Sequence, residues 1–194
     1  MQFWFELAST YSYPTAMRID RLATAAGVTV EWKPFLLGPI FSSQGWNDSP
    51  FNIYPAKGRY MWRDLERICE REHLPLKLPP VAFPQHSLLA TRIAVVGSAR
   101  GFTAAFSRAV YSANFAEQRD ISDPEVLAAI LGTLGLDAEE VLAAAATPET
   151  KARLRHESLQ ATQKGIFGAP SMLVGEELFW GNDRLDDAIA WAAK

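Results

Sequence analysis

The sequence has very little of several residue types that proteins commonly use for chemistry. Its 194 residues include three histidines, His73, His86 and His156, and one cysteine, Cys69. A single cysteine excludes an internal disulfide and a two-thiol redox cycle within one chain. The histidines have no second metal-binding residue at helical spacing, so the sequence predicts no metal site. Cys69 lies in a strongly helical run, which favours a buried, unreactive thiol.

Long apolar runs and an excess of basic charge are absent as well. No stretch is long and apolar enough to span a bilayer, and the first residues lack the basic-then-apolar order of a signal peptide. We therefore predict a cytoplasmic protein with no membrane partner. A net charge of −3 and a pI near 5.7 argue against a nucleic-acid partner. With 48% hydrophobic and 21% charged residues, the chain predicts a globular protein with a substantial core.

The two ends of the chain carry strand patterns, and they frame a helical middle. The predicted elements at the ends are a strand over 2–7, a helix over 13–26, a strand over 28–35, strands over 171–174 and 177–180, and a helix over 185–193. Gly175 and Glu176 separate the last two strands as a tight hairpin would. The beginning is thus βαβ and the end ββα, which indicates an α/β fold.

The middle of the chain predicts an all-helical insertion. Residues 36–55 lose periodicity and are rich in Gly, Pro, Ser and Asn, which predicts a long functional or mobile loop. Helices are then predicted over 58–73, 87–101, 102–115, 123–134, 138–145 and 148–164. We expect one discontinuous α/β domain, residues 1–36 and 165–194, and a second part, residues 37–164, made of the loop and the inserted helices.

The segment STYS at 9–12 follows the first strand and leads into the first helix. A redox protein of this architecture carries Cys-x-x-Cys there. The N-terminus of a helix stabilises a thiolate, but a serine hydroxyl can only donate a hydrogen bond to one. A reactive sulfur must therefore come with a ligand. Ser9 either caps the helix or donates to that sulfur, and Ser12 bonds to the backbone or to the sulfur; the motif alone leaves these alternatives open.

The chain resembles a known family over essentially its whole length, and the specific motifs lie at its two ends. FELASTYSY at 5–13 resembles the Phe-Asp-x-x-Ser-Pro-Tyr-Ser-Tyr opening of kappa-class glutathione transferases and 2-hydroxychromene-2-carboxylate isomerases. FGAPSMLVG at 167–175 and FWGNDRL at 179–185 are similar to the end of the isomerase branch. Thr10 departs from the family, which usually has proline there. The resemblance implies a thioredoxin-like fold with a helical insertion, and glutathione as the cofactor.

The resemblance also implies roles for individual residues. Ser9 would hold the glutathione sulfur. Ala169, before a cis-Pro170, would bind the cysteinyl part through its main-chain groups. Further family positions would be Asn182, Asp183 and Arg184 for the γ-glutamyl end, Lys57 for the glycyl carboxylate or an acidic substrate, Tyr11 beside the ligand, and Asn47 or Asn52 as a ligand-binding asparagine.

By the same resemblance, the expected activity is a glutathione-dependent isomerisation. The substrate would be a small aromatic acid such as 2-hydroxychromene-2-carboxylate, interconverted with trans-o-hydroxybenzylidenepyruvate. One alternative is a kappa-like glutathione transferase that joins the same thiolate to an electrophile. Another is a glutathione- or peptide-binding module without chemistry. The family often forms homodimers, so the resemblance makes a second copy of this chain a candidate partner.

Overall fold

The structure is a computed structural model that describes residues 1–194, with four strands in one sheet and ten α-helices around it. The elements are β1 (Gln2–Phe5), α1 (Ser12–Ala25), β2 (Glu31–Pro34), α2 (Leu37–Ser43), α3 (Pro50–Ile53), α4 (Pro55–Arg71), α5 (Leu88–Arg100), α6 (Thr103–Phe115), α7 (Pro124–Thr133), α8 (Ala138–Ala146), α9 (Pro148–Gln163), β3 (Ser171–Val174), β4 (Glu177–Trp180) and α10 (Leu185–Ala192). A 3-10 turn, Asn182–Arg184, precedes α10.

The sheet has the strand order β2-β1-β3-β4. β1 runs parallel to β2, with Phe3 opposite Trp32, and antiparallel to β3, with Phe3 opposite Met172. β3 and β4 form a hairpin, and Gly175 in its turn has φ 60°, a left-handed conformation that glycine adopts without strain. The predicted βαβ beginning and ββα end are confirmed.

The two faces of the sheet are buried by different helices. Because side chains alternate along a strand, Phe3 and Phe5 enter the main core, which they share with residues of α1, α5, α6 and α10. Trp4 points to the opposite face and packs with Ile40 of α2 and Ala161 of α9 in a smaller cluster. The α-helices of the insertion therefore cover both faces of the strand that leads to the STYS segment.

The prediction of a long loop over 36–55 was wrong, because this segment contains α2 and α3. Ile40 is buried at 3% exposure in the smaller cluster, and this burial stabilises a helix that the Gly- and Pro-rich sequence hides. Pro39 lies in the first turn of α2, where proline is tolerated. In α3, Ser49 accepts a hydrogen bond from the N–H of Phe51, and Pro50 occupies the first position.

Two polar links join α1 to α4. The Tyr11 hydroxyl donates to Asp64 at 3.0 Å, and the Arg18 guanidinium lies 3.2 Å from the carboxylate of Glu72, just after α4. The division of the chain at residues 36 and 165 stays a prediction. None of the helices combines the length and the apolar character needed to cross a membrane.

Candidate functional site

The STYS segment lies at the bottom of a cleft of about 1830 Å³ between the sheet and the inserted helices. Ser9 is half-buried in its wall. The Ser9 hydroxyl accepts from the N–H of Ser12, the first residue of α1, at 3.4 Å, and it donates to the carbonyl of Ala169 at 3.1 Å. Ser12 is fully buried and does not line the cleft. Ser9 is therefore the one serine of the segment that a ligand in the cleft can reach.

The peptide bond between Ala169 and Pro170 is cis, as the resemblance implied. We expected both main-chain groups of Ala169 to be free for a ligand, but its carbonyl accepts from Ser9. Its N–H has no hydrogen-bond partner within the protein. Ala169 lines the cleft, whereas Pro170 is buried behind it. Ala169 thus offers one free donor next to the Ser9 hydroxyl.

The Asn182–Arg184 turn forms another part of the wall. Asn182 is buried, and its side-chain oxygen accepts from Thr15 at 3.0 Å and from Arg18 at 2.8 Å. That oxygen therefore faces the protein, so it is not the ligand-binding atom that the resemblance suggested. Asp183 is exposed, and the Arg184 guanidinium lies 2.8 Å from Asp187. Of this turn, Asp183 presents the more accessible side chain.

The remaining predicted residues divide into those in the cleft and one outside it. Tyr11, Asn47 and Lys57 line the cleft. Burial and the bond to Asp64 raise the pKa of Tyr11, so its hydroxyl stays protonated. Asn52 does not line the cleft: its amide donates to Asp48 at 3.1 Å and to the carbonyl of Phe83 at 3.0 Å, so its role is to hold α3 in place.

The cleft also contains residues that sequence reasoning missed. Arg18 is 9% exposed, although it is an arginine in a helix, because three partners take up its guanidinium. Glu6, the residue after β1, is 7% exposed. An acidic residue is usually exposed, so nothing in the sequence indicated this burial. Asp64, His86 and Trp180 are further examples. For Arg18, the signal was its position one turn after Thr15 on the buried face of α1.

The arginines of the cleft form ion pairs. Arg18 and Arg71 pair with Glu72, and Arg184 pairs with Asp187. Lys57 forms no ion pair, and its ammonium lies 4.9 Å from the centre of the Tyr54 ring. Lys57 is therefore the cationic side chain of the cleft that is most available to an anionic ligand.

Cys69 lies in α4 and not in this cleft. It is 2% exposed, and burial raises the pKa of its thiol to about 11. This confirms the prediction of a buried, unreactive thiol, so the cleft contains no protein sulfur for a redox step.

A family model described as the DSBA-like thioredoxin domain matches residues 1–189. A 2-hydroxychromene-2-carboxylate isomerase of Sphingobium xenophagum is 30% identical over 188 residues, which are 96% of this chain and 94% of that protein. The chain belongs to the DsbA-like thioredoxin-domain family, in the group of the 2-hydroxychromene-2-carboxylate isomerases.

Two further similarities agree with that membership. The DsbA-like chain is 24% identical to human glutathione S-transferase kappa 1, over 96% of this chain and 87% of that one. A solved structure of a 2-hydroxychromene-2-carboxylate isomerase superimposes with a TM-score of 0.88 and 24% identity, covering 98% of this chain and 92% of that chain. The fold is thus the DsbA-like thioredoxin fold with inserted helices.

The rim of the DsbA-like cleft next to the cis-proline turn depends on Gly168. A Cβ atom there would overlap the indole nitrogen of Trp180 and lie 3.1 Å from its Cε2. We expect Gly168→Ala to push the half-exposed indole away from Phe167, whose ring centre is 4.9 Å distant, and to increase quenching of its fluorescence by iodide. In Gly132→Ala, the new Cβ meets no atom within 4 Å, so quenching should not change. Equal quenching in both variants would contradict the packing described here.

Proposed function

We propose that the cleft binds glutathione with its sulfur at Ser9. The observation that carries this proposal is the Ser9 hydroxyl, which lies at the start of α1 and 3.1 Å from the carbonyl of Ala169. A hydroxyl donor and the N-terminus of a helix both favour a thiolate over a thiol. The first turn of α1 contains no acidic residue that would oppose a negative charge. The hydroxyl of Ser9 and the start of α1 therefore suit the thiolate of glutathione.

The rest of the cleft suits the other parts of this tripeptide. The free N–H of Ala169 would donate to a main-chain carbonyl of the ligand, as one extended strand pairs with another. Asp183 would pair with the γ-glutamyl ammonium, and Arg184 would face the adjacent carboxylate. Lys57 would receive the glycyl carboxylate or the acid group of a second substrate. Tyr11 and Asn47 would contact that substrate.

The reaction we propose is the isomerisation of 2-hydroxychromene-2-carboxylate or a similar aromatic acid. When bound, glutathione supplies a thiolate nucleophile that adds reversibly to a conjugated system and leaves unchanged. Ser9 turns its hydroxyl from the carbonyl of Ala169 towards the sulfur and holds it. The aromatic side chains in the walls, which include Phe41, Trp46 and Trp180, suit a flat ring. We place this activity in the cytoplasm, where glutathione is kept reduced.

Two measurements test this proposal. Ultraviolet difference spectra of the protein with reduced glutathione should show a thiolate band well below the pKa of the free thiol, about 8.5. Turnover of 2-hydroxychromene-2-carboxylate should then depend on glutathione without consuming it. Absence of the thiolate band would overturn the proposal, and a thiolate band without glutathione-dependent turnover would overturn the isomerisation.

A glutathione transferase is the second candidate, because the chain is 24% identical to human glutathione S-transferase kappa 1. A transferase would use the same Ser9 site but would consume one glutathione for each product formed. Mass spectrometry of the products separates the two activities. A module that binds glutathione without chemistry would give the thiolate band but no product.

Lys57 provides a further prediction. Lys57→Met removes the cation of the cleft that forms no ion pair, so we expect the Kd for glutathione or the KM for the aromatic acid to rise about fivefold. Stability should not change, since Lys57 is exposed. Lys164→Met, an exposed lysine outside the cleft, is the matched control. If neither constant changes, the acid-binding role of Lys57 is wrong.

A further inference from the structure

Glu6 is the ionisable residue most closely connected to the Ser9 turn. Its carboxylate accepts from the N–H of Ala8 at 2.9 Å and from the hydroxyl of Ser87, which precedes α5. Its main-chain carbonyl accepts from the N–H of Ser9 at 3.0 Å. Glu6 lines the cleft but is only 7% exposed. One buried residue thus connects the Ser9 turn with the inserted helices.

This buried carboxyl has no counter-ion. The hydroxyl of Tyr111 in α6 donates to the main chain of Glu6 at 2.9 Å and adds no charge. No basic side chain forms an ion pair with Glu6: Arg18, which lines the same cleft, pairs with Glu72, and Arg108 of α6 pairs with Asp20. Burial raises the pKa of Glu6 to about 7, although the bonds from Ser87 and Ala8 favour the charged form. A pKa near neutral lets this carboxyl accept or release a proton at neutral pH.

A thiolate at Ser9 would add a second negative charge to the cleft wall that also contains Glu6. Two anions that share such a site disfavour each other, and a proton on one of them relieves the repulsion. We propose that Glu6 is the internal acceptor of the proton that leaves the thiol of glutathione at Ser9. This inference rests on the proposed function, because it requires glutathione in the cleft.

The proton transfer balances within the protein. The S–H bond breaks and its electron pair stays on sulfur, while an O–H bond forms on a carboxylate oxygen of Glu6. The total charge of the site is unchanged. Ser87, which donates to the charged carboxylate, can turn its hydroxyl and accept from the neutral acid. The Ala8 N–H keeps the other oxygen as its acceptor, so the Ser9 turn does not have to move.

Infrared difference spectroscopy tests the inference on the intact protein. At pH 8, addition of reduced glutathione should produce the carbonyl band of a protonated carboxylic acid and remove a carboxylate band. S-methylglutathione has no thiol proton and should produce neither change. In Glu6→Gln the acid band should be missing, and calorimetry in two buffers of different ionisation enthalpy should show about one more proton released per glutathione bound than in wild type.

The outcomes separate this inference from the proposed function. A thiolate band in the ultraviolet without the acid band in the infrared would overturn the role of Glu6 alone. Absence of the thiolate band would overturn both. The comparison of the two ligands uses wild-type protein, so it holds even if Glu6→Gln does not fold. Ser87→Ala keeps the carboxyl and should still give the acid band with glutathione; loss of the band in this variant would contradict the inference.

Discussion

Ser9→Ala should lower kcat/KM by about 10- to 150-fold. A hydrogen bond to a charged group contributes about 1.5–3 kcal/mol, and the variant removes the hydroxyl that we propose holds the thiolate. The pH at which half of the bound glutathione is ionised should rise by about one to two units for the same reason. Steady-state kinetics and the ultraviolet titration measure the two effects.

The control for Ser9→Ala must remove a hydroxyl at the start of a helix without touching the cleft. The Ser9 hydroxyl accepts from the N–H of Ser12, the first residue of α1, so its loss lowers the free energy of unfolding by about 1 kcal/mol. The Thr147 hydroxyl accepts from the N–H of Thr150 at 3.2 Å at the start of α9, outside the cleft. Thr147→Ala should lose similar stability in urea and keep full activity. If both variants lose activity alike, the Ser9 hydroxyl contributes to stability alone.

Glu6→Gln should change how the stability of the ligand-free protein depends on pH. The folded-state pKa of Glu6 is about 7, above its ordinary value of 4.5, so folding favours the protonated form. This contribution to stability is fully present below pH 4.5 and is lost as the pH rises through 7. The loss amounts to about 3 kcal/mol. Glutamine has no charge to bury: its amide oxygen can accept from Ala8 and its NH2 group can donate to Ser87, but the second N–H of that group has no partner among these bonds, which costs about 1 kcal/mol.

The two stability curves should therefore cross. At pH 4.5, Glu6→Gln should be less stable than wild type by about 1 kcal/mol, and at pH 8 it should be more stable by about 2 kcal/mol. Urea unfolding at both pH values gives the comparison. Glu176 is exposed in the hairpin, and Glu176→Gln should follow the wild-type curve. Parallel curves for wild type and Glu6→Gln would show that Glu6 is not buried as a costly charge.

The sequence correctly predicted elements that depend on residues close together in the chain. The strands 171–174 and 177–180 match the predicted ranges, because Gly175 and Glu176 leave only a tight turn between them. The position of Ser9 at the start of α1 followed from a short apolar strand and the helix after it. Patterns of this kind depend on neighbours in the chain, so one sequence is enough to find them.

The predictions failed where contacts between residues far apart in the chain determine the local structure. α2 is stabilised by the burial of Ile40 against Trp4 and Ala161, residues far away in the chain. The inward orientation of Asn182 results from Thr15 and Arg18, which no local pattern connects with it. The resemblance implied Asn47 or Asn52 as a ligand-binding asparagine, and the fold of α2 and α3 places only Asn47 in the cleft.

The polar links between α1 and α4 restrict which residues of the cleft wall can change without affecting the Ser9 turn. Replacing Asp64 would remove the hydrogen bond from Tyr11, the residue two positions after Ser9. No hydrogen bond joins residues 37–47 to the Ser9 turn; Ser43, for example, donates to the carbonyl of Ile40. Substitutions at the exposed positions of α2 and of the segment after it can therefore change the substrate range without removing a hydrogen bond of the Ser9 turn.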